Sequence, residues 1–256
     1  MRGRVLVTGA SRRIGAAIAR RLALRGYGVA IHHHQAAEDA EALHAQIEAE
    51  GGTACIVCGE LAEAATAPVL IEAARDGLGG PIDGLVNNAS QFAWDALPLT
   101  DFDLLDRHMR VNCGAPVALA SAMAEQPDLD QGAVVNLLDQ KLANLNPDFF
   151  TYTLSKAALA TATELLARAL APRIRVNAVS PGLTLPSLDQ SDDEFGRHAR
   201  QNLLQRPVAL ADIAASVEML LATPSITGQN LFVDCGQRFL AREGDVMFEG
   251  RERPHG

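Results

Sequence analysis

Residues 4–15 read RVLVTGASRRIG, a pattern typical of a strand, a glycine turn and a helix. The apolar run over residues 4–8 ends at Gly9, as expected for a buried strand of a parallel sheet. Apolar residues at helical spacing follow and stop at Gly26. This layout directs backbone N–H groups and a helix N-terminus toward a phosphate. A plain strand-to-helix turn looks the same, so the stretch alone leaves both interpretations open.

The rest of the chain repeats the alternation of strand and helix without a linker or an internal repeat, which predicts one α/β domain over residues 1–242. Further strands are predicted over residues 28–33, 53–58, 83–87, 133–138, 173–179 and 230–234. Helices are predicted over residues 36–50, 66–78, 100–126, 150–170 and 211–221, with a short one near 193–204. Residues 183–207 are expected to cover a substrate, and residues 243–256 to form a polar, mobile tail.

The bulk composition narrows the classes of partner. The 256 residues are 48% hydrophobic, enough for a sizeable core, and carry a formal net charge of −9, which argues against nucleic acid or an anionic membrane as partner. No apolar run reaches the roughly 18 residues that span a bilayer. Four cysteines without a disulfide pattern, and a start without a signal peptide, lead us to expect a cytoplasmic protein. Cys55 and Cys58 form C-x-x-C within a strand, where they face opposite sides, so a redox or metal role is disfavoured.

Tyr152 and Lys156 carry the strongest chemical signal. Residues four apart lie on one face of a helix, so a phenol and an ammonium can share a cleft. The ammonium is expected to lower the pKa of the phenol from about 10, which makes Tyr152 a usable proton donor. Asp139 follows the predicted strand 133–138, thirteen residues before Tyr152. A solvated acid at a strand end is the alternative interpretation of Asp139.

The end of the second strand bears on the choice of cofactor. Sites that prefer NAD usually place an acid there for the ribose hydroxyls. Here the residues are three histidines, Gln35 and Ala36, with no acid before Glu38. NADPH is therefore favoured, with Arg13 as the positive partner of its 2′-phosphate. A histidine metal site is disfavoured, because alternation along a strand turns His33 away from His32 and His34.

Two more loops follow strand ends, where ligands bind in such sheets. Residues 87–92 read NNASQF and place two asparagines and small polar residues at the end of the fourth strand, with Phe92 and Trp94 just beyond as core or site aromatics. Residues 180–184 read SPGLT after the sixth strand. Glu60 and Leu61 follow the third strand, where an acid can bond an adenine amino group.

Together these motifs resemble the short-chain dehydrogenase/reductase family over nearly the whole chain. The matching blocks are Thr8-Gly9-Ala10 with Gly15, Asn87-Asn88-Ala89, Asn112, Tyr152 with Lys156, Pro181-Gly182, and Thr227-Gly228 with Val233-Asp234. The resemblance implies a Rossmann-type, doubly wound, mostly parallel seven-stranded sheet with helices on both faces. It also implies an NAD(P)H-dependent oxidoreductase that forms homodimers or homotetramers.

Two departures from the family pattern resemble its pteridine reductase and dihydromonapterin reductase branch. Arg13 replaces the middle glycine of T-G-x-x-x-G-x-G, and Asp139 replaces the usual serine. In that branch the arginine lies near cofactor phosphates and pterin, and an aromatic at the position of Phe92 stacks on the pterin. The pair His32 and His34 is also similar, whereas Gln35 and Ala36 stand where the branch has basic and hydroxyl partners for the 2′-phosphate.

The resemblance implies a role for each site residue. Lys156 would bind the nicotinamide ribose, Tyr152 would supply a proton, and Asn112 would hold a water that links the lysine to solvent. A carboxylate such as Asp139 suits a basic nitrogen heterocycle better than a carbonyl. The implied cofactor residues are Gly9, Ser11, Arg13, Ile14, Gly15, His32, His34, Glu60, Leu61, Asn88, Ala89, Ser90, Lys156, Pro181 and Gly182. The implied substrate residues are Arg13, Ser90, Phe92, Asp139, Tyr152 and Leu183.

The expected function is thus an NADPH-dependent reductase of a small dihydropteridine of the dihydromonapterin, dihydrobiopterin or dihydrofolate type, with no metal. One alternative is a carbonyl reductase such as a 3-oxoacyl-acyl-carrier reductase. A second is a regulator that senses NADP without turnover.

Overall fold

Seven strands form one sheet in the order β3-β2-β1-β4-β5-β6-β7, and every neighbouring pair is parallel. The computed structural model describes residues 1–99, 101–186 and 190–248. The strands are β1 (Arg4–Val7), β2 (Gly28–His33), β3 (Thr53–Cys58), β4 (Gly84–Asn87), β5 (Gly132–Leu137), β6 (Ile174–Pro181) and β7 (Asn230–Val233). The predicted doubly wound α/β fold is confirmed, with each predicted strand within two residues of its observed bounds.

Helices cover both faces of the sheet. They are α1 (Arg13–Leu24), α2 (Ala37–Ala49), α3 (Thr66–Leu78), α4 (Phe102–Met109), α5 (Ala115–Ala124), α6 (Phe150–Ala169), α7 (Asp192–His198) and α8 (Leu210–Ala222). α1 and α8 pack together on one face, and α3 and α5 on the other. Val5, Leu6 and Val7 of β1 are fully buried because both faces are covered. Among the described residues no helix is both long and apolar enough to cross a membrane.

The strand order reverses between β1 and β4, whose carboxyl ends therefore open a crevice between diverging loops. In open parallel sheets this point is where ligands bind. The loops after β1, β4, β5 and β6 all end at this edge. They carry residues 9–13, 88–92, 138–140 and 182–185, which brings segments distant in sequence into one cleft.

The single helix predicted over residues 100–126 is observed from Phe102 to Ala124, but its hydrogen bonding changes in the middle, which the sequence did not predict. α4 ends at Met109, one turn of π-helix (Arg110–Gly114) follows, and α5 begins at Ala115 with Pro116 in its first turn, where proline is tolerated. The wider turn holds the buried Asn112 side chain against the loop after β4. Thr100, where the prediction began, lies outside the described residues.

The two C-terminal predictions have different outcomes. α7 supplies the short helix expected near residues 193–204, and it begins with a capping box formed by Ser191 and Glu194. Residues 187–189 of the predicted substrate loop lie outside the described part of the chain. The expectation of a mobile tail is wrong for residues 243–248, because they pack into a short helical turn (Val246–Phe248) in which Val246 is buried. Residues 249–256 lie outside the described residues.

Candidate active site

α6 brings Tyr152 and Lys156 to the cleft, next to Asp139 at the end of β5. Tyr152 Oη donates a hydrogen bond to Asp139 Oδ2 at 2.8 Å. Lys156 Nζ donates to the backbone oxygen of Leu137 at 2.8 Å and lies 5.8 Å from the centre of the Tyr152 ring. Asp139 Oδ1 accepts from Lys141 N at 2.8 Å and so caps the turn Gln140–Ala143. The carboxylate thus has one oxygen in a structural bond and one on the phenol.

The expected lowering of the Tyr152 pKa by Lys156 is wrong for this arrangement. Burial, and then the neighbouring charge of Asp139, raise the pKa of Tyr152 well above its ordinary value of 10.0. Burial likewise raises the pKa of Asp139, and it lowers the pKa of Lys156 to about 8 although Asp139 opposes that change. At neutral pH the phenol therefore keeps its proton and is a hydrogen-bond donor.

The side-chain amide of Asn112 joins two elements of the cleft. Its Nδ2 donates to Gln91 O and to Ser155 Oγ, both at 2.9 Å. Its Oδ1 accepts from Gln91 N at 2.7 Å and from Ser90 Oγ at 3.2 Å. Two donors and two acceptor positions are then all used, so in this arrangement the amide ties the loop after β4 to α6 and has no capacity left for water. Bonding of a water by Asn112 stays a prediction for another state of the site.

The turn between β1 and α1 has the form that an anion site needs. Gly9 has φ +59°, and a Cβ there would lie 2.9 Å from Ala89 Cα. A Cβ on Gly15 would lie 2.6 Å from Asn88 Nδ2, an amide that donates to Thr8 O and Gly9 O, both at 2.9 Å. α1 has no side-chain cap and no acid in its first turn, so its N-terminal N–H groups lack a protein anion. This end of α1 therefore fits the phosphates of a dinucleotide.

Arg13 and Arg12 point to different parts of the molecule. Arg13 has φ +54°, the left-handed region in which glycine is favoured, which gives a physical reason for the family's glycine at this position. Its Nη1 and Nη2 both donate to Pro186 O at 3.0 Å, and the residue lines the same cavity as Tyr152 and Lys156. Arg12, which sequence reasoning missed, forms an ion pair with Asp39 in the first turn of α2. Arg12 rather than Arg13 is thus tied to the helix that follows β2.

His32 and His34 are also in different situations. His32 is buried, its Nδ1 accepts from Gly9 N at 3.1 Å, and its Nε2 lies 3.1 Å from Gly59 O. These partners require a neutral ring protonated at Nε2, and burial lowers its pKa to about 4. A charged role for His32 at a phosphate is therefore excluded at neutral pH. The exposed His34 instead places its Nε2 3.1 Å from Glu60 Oε2. Within the described ranges no cluster of histidine, cysteine or acidic residues could hold a metal ion.

Two adjoining cavities meet at Asp139, Gln140, Tyr152 and Leu183. The first, of about 240 Å³, extends to the turn before α1. It brings together the predicted residues Arg13, Ile14, Asn88, Ser90, Asp139, Tyr152, Lys156, Pro181, Gly182 and Leu183. The second, of about 110 Å³, contains Phe92. The predicted residues outside both are Gly9, Ser11, Gly15, His32, His34, Glu60, Leu61, Ala89 and Asn112.

Phe92 lies in the second cavity with 48% of its surface exposed. Its ring meets the Tyr152 ring edge-on at 4.8 Å and stacks on the Phe149 ring at 4.4 Å. One face of Phe92 is thus supported by protein. The aromatic surface lies directly beside the Tyr152 phenol.

Sequence reasoning missed much of the second cavity. The missed lining residues there are Gln140, Lys141, Asn144, Asn146, Phe149, Gln190, Gln237, Arg242, Asp245, Val246 and Met247. Leu137, Leu138, Thr184 and Leu185 were missed in the first. The available signal was position, because residues 137–140 and 184–185 directly follow strand ends. The three consecutive apolar residues 246–248 within a polar tail were a weaker signal.

Comparison with known proteins adds to this geometry. FolM alternative dihydrofolate reductase 1 from Brucella suis, solved in complex with NADP, is 45% identical with a TM-score of 0.90, covering 94% of this chain and 96% of that one. The angucycline C-6 ketoreductase LanV, with bound NADP, is 32% identical with a TM-score of 0.84, covering 93% and 96%. The 3-oxoacyl-acyl-carrier-protein reductase FabG of Staphylococcus aureus strain Mu50 is 33% identical over 252 residues, covering 90% of this chain and 96% of that protein.

A family model also matches most of the chain. Its description is enoyl-(acyl carrier protein) reductase, and it matches residues 9–238, which include the turn before α1, the Tyr152–Lys156 pair and β7. These matches agree with the parallel seven-stranded sheet and the cleft at its carboxyl edge. The chain belongs to the short-chain dehydrogenase/reductase family of oxidoreductases.

Proposed function

We propose that this protein is an NADPH-dependent reductase that converts a dihydropteridine to its tetrahydro form. The observation that carries the proposal is the hydrogen bond of 2.8 Å from Tyr152 Oη to Asp139 Oδ2, in a cavity that also contains the Phe92 ring. A carboxyl group paired with a phenol can exchange protons and hydrogen bonds with a ring that carries both N–H donors and basic nitrogens. The similarity to FolM, a protein described as an alternative dihydrofolate reductase, supports the same choice.

The first cavity and the turn before α1 supply the groups that would hold the cofactor. The phosphates fit the uncapped N–H groups at the start of α1, next to Gly9, Ser11 and Gly15. His34 and Glu60, which contact each other, would lie at the adenosine end. Arg12 is the candidate cation for a 2′-phosphate, which would have to compete with Asp39 for it. Bound NADPH would supply the hydride that reduces the carbon of a C=N bond. The NADP in the FolM and LanV structures supports this assignment.

Tyr152, Asp139 and Lys156 would hold and deliver the proton that the reduced nitrogen takes up. Tyr152 keeps its phenolic proton because burial and Asp139 raise its pKa. Asp139 can receive a proton from solvent and return it to the phenol through their hydrogen bond. Lys156, whose pKa falls to about 8, balances the negative charge that appears on this pair when the proton leaves.

The substrate ring would lie in the second cavity, against Phe92 and Leu183 and within reach of Tyr152. Arg13 and Ser90 line the adjoining cavity and would contact the side of the ring that faces the cofactor. An exposed aromatic face beside the proton donor suits a flat heterocycle, which gains by stacking.

A carbonyl reductase of the 3-oxoacyl type is the second candidate, and the likeness to FabG and LanV favours it. The protonated Tyr152 could also donate to a carbonyl oxygen, but Asp139, when ionised, would repel the negative charge that develops on that oxygen. A sensor of NADP without turnover is a third candidate, and the intact set of Tyr152, Lys156 and Asn112 argues against it.

Steady-state rates with dihydropterins and with an acetoacetyl thioester separate these functions. We expect NADPH oxidation with dihydropterins, slower oxidation of NADH, and loss of dihydropterin turnover in Asp139→Ser. Turnover of the thioester alone would refute the proposal. Tight NADPH binding without turnover of either substrate would favour the sensor.

We also expect a cytoplasmic homodimer or homotetramer. Large apolar side chains are exposed on α4 and α6, namely Phe102, Leu154 and Leu165. The packed pair of α4 and α6 thus offers an apolar surface for a second copy. Light scattering after size exclusion would measure the state, and a monomer at micromolar concentration would contradict the expectation.

A further inference from the structure

One side of the proposed substrate cavity is formed by a piece of the chain near its C-terminus, residues 244–248, which we call the C-terminal wall. Asp245, Val246 and Met247 line the cavity opposite Tyr152. Phe248 lies behind them, with its ring stacked on Phe149 at 5.7 Å and edge-on to Trp94 at 6.1 Å. The same Phe149 ring supports Phe92, so the wall and the proposed stacking surface belong to one aromatic column.

A buried ammonium anchors this wall. Lys141 is 4% exposed, and its Nζ donates to Asp148 O at 2.6 Å and to Asp245 Oδ2 at 3.1 Å. Asp245 N in turn donates to Asp148 Oδ2 at 2.7 Å. Asp245 is also close enough to the reacting groups to add to the rise of the pKa of both Asp139 and Tyr152. The wall is therefore held by polar bonds on one side and by aromatic packing on the other.

The cavity is small and partly open to solvent. Its volume is about 110 Å³, whereas sites for drug-sized ligands run from about 300 Å³ upward. A fused bicyclic ring with a short substituent suits this space. A substituent that contains a further aromatic ring would have to leave through the open side of the cavity or displace the wall.

The charges at this end of the second cavity also bear on the choice of substituent. The two cations that line the cavity in the described part of the chain already have protein partners: Lys141 bonds to Asp148 O and Asp245, and Arg242 Nη2 donates to Gln201 Oε1 at 2.7 Å. Asp245 balances the charge of Lys141 and would repel a substituent that carries carboxylates, whereas the Gln201 oxygen that Arg242 bonds is neutral. Hydroxyl groups could instead bond to the Asp245 carboxylate and to the amides of Asn146 and Gln237.

We propose that the C-terminal wall determines specificity within the dihydropteridines, selecting those with a short hydroxylated alkyl side chain over those with an arylamide side chain that carries carboxylates. The inference rests on the proposed function and names the substrate class of that same site. Asp245 and Val246 would be its specificity-determining residues, and Lys141 a positioning residue that acts through Asp245.

The test compares the ratio of kcat/KM for dihydrobiopterin to that for dihydrofolate, because a ratio cancels any loss of folded enzyme. We expect the wild-type ratio to be at least about tenfold, the usual reach of a closed pocket against an ill-fitting group. Asp245→Ala and Val246→Ala should each lower it several-fold, mainly by raising kcat/KM for dihydrofolate. Glu243→Gln, an exposed acid just outside the wall, is the matched control and should leave the ratio unchanged.

NADPH affinity, measured by fluorescence titration, should stay the same in these variants, since the wall lies in the second cavity alone. A wild-type ratio near one, or a ratio that Asp245→Ala and Val246→Ala leave unchanged, would overturn the inference while the proposed function stands. Absence of turnover with both dihydropterins would instead overturn the proposed function. Lys141→Met should lower the ratio as Asp245→Ala does, and retention of the wild-type ratio in a folded Lys141→Met variant would also count against the wall.

Discussion

Lys156→Met should make the protein more stable and inactive. Lys156 is 3% exposed, and burial lowers its pKa from the ordinary value of 10.5 to about 8. Such a depression means that the folded state disfavours the charged lysine by about 3 kcal/mol. Methionine has a similar length and no charge, so the variant escapes this cost. It loses the bond from Nζ to Leu137 O, a loss of about 1 kcal/mol.

The net gain expected at pH 7 is therefore about 2 kcal/mol, which corresponds to a rise in Tm of about 4–8 °C for a domain of this size. The sign follows from linkage. Below pH 8 the lysine is charged in the folded and unfolded states alike, and the full cost is present. As pH rises from 8 to 10.5 the folded lysine loses its proton first, so wild-type stability increases and the advantage of the variant disappears.

Urea unfolding of the cofactor-free protein at pH 7 and pH 9.5 would measure both effects. The matched control is Lys141→Met, the same substitution at a lysine that is 4% exposed but paired with Asp245. There the change leaves a carboxylate without its cation, so we expect destabilisation by about 3 kcal/mol. The reasoning is refuted if Lys156→Met destabilises the protein as Lys141→Met does, or if its advantage does not shrink at pH 9.5.

Three further predictions concern the site. Tyr152→Phe should lower kcat by about 10²–10⁴-fold while NADPH affinity, measured by fluorescence, is kept, and an unchanged kcat would exclude Tyr152 as proton donor. Arg13→Gly should raise the free energy of unfolding by about 1 kcal/mol, because glycine adopts the left-handed φ of +54° without strain. The KM of the variant for the dihydropterin should rise. Destabilisation in urea unfolding would show that Arg13 is not strained. His32, with a pKa lowered from 6.5 to about 4, should cost the wild type about 1 kcal/mol of stability between pH 7.5 and 5.5, since the unfolded state takes up a proton that the folded state does not. His32→Gln should remove that part of the pH dependence in urea titrations, and an equal slope in both proteins would sink this assignment.

The fold could be predicted because each strand is a short apolar run between turn residues, and a parallel sheet covered on both faces requires such runs. The turn of π-helix between α4 and α5 could not be predicted. Helical periodicity continues through residues 110–114, and the wider turn coincides with the bonds of Asn112 to Gln91 and Ser155. Those bonds join segments that are more than 20 residues apart, so a local pattern does not contain them.

The candidate site was predictable where a residue follows a strand end, as with Asp139, or has a fixed helical spacing, as with Tyr152 and Lys156. The protonation and the hydrogen-bond partners of each group were not predictable. Whether Lys156 lowers the pKa of Tyr152 depends on burial and on which atom Nζ bonds, and in the structure that atom is Leu137 O. His32 looked like a ligand from its place at the end of β2, but both of its ring nitrogens face the backbone.

The geometry of Asp139 explains how this side chain can change its protonation while the turn Gln140–Ala143 stays capped. Oδ1 caps the turn Gln140–Ala143, and Oδ2 accepts from Tyr152. A serine, the usual residue in the family pattern, has a single oxygen that would have to serve both bonds. The carboxylate separates them, so its outer oxygen can gain or lose a proton while the inner one holds the backbone in place. Asp139 can therefore exchange a proton with a substrate without movement of β5. This is the physical reason to associate Asp139 with a nitrogen heterocycle rather than with a carbonyl.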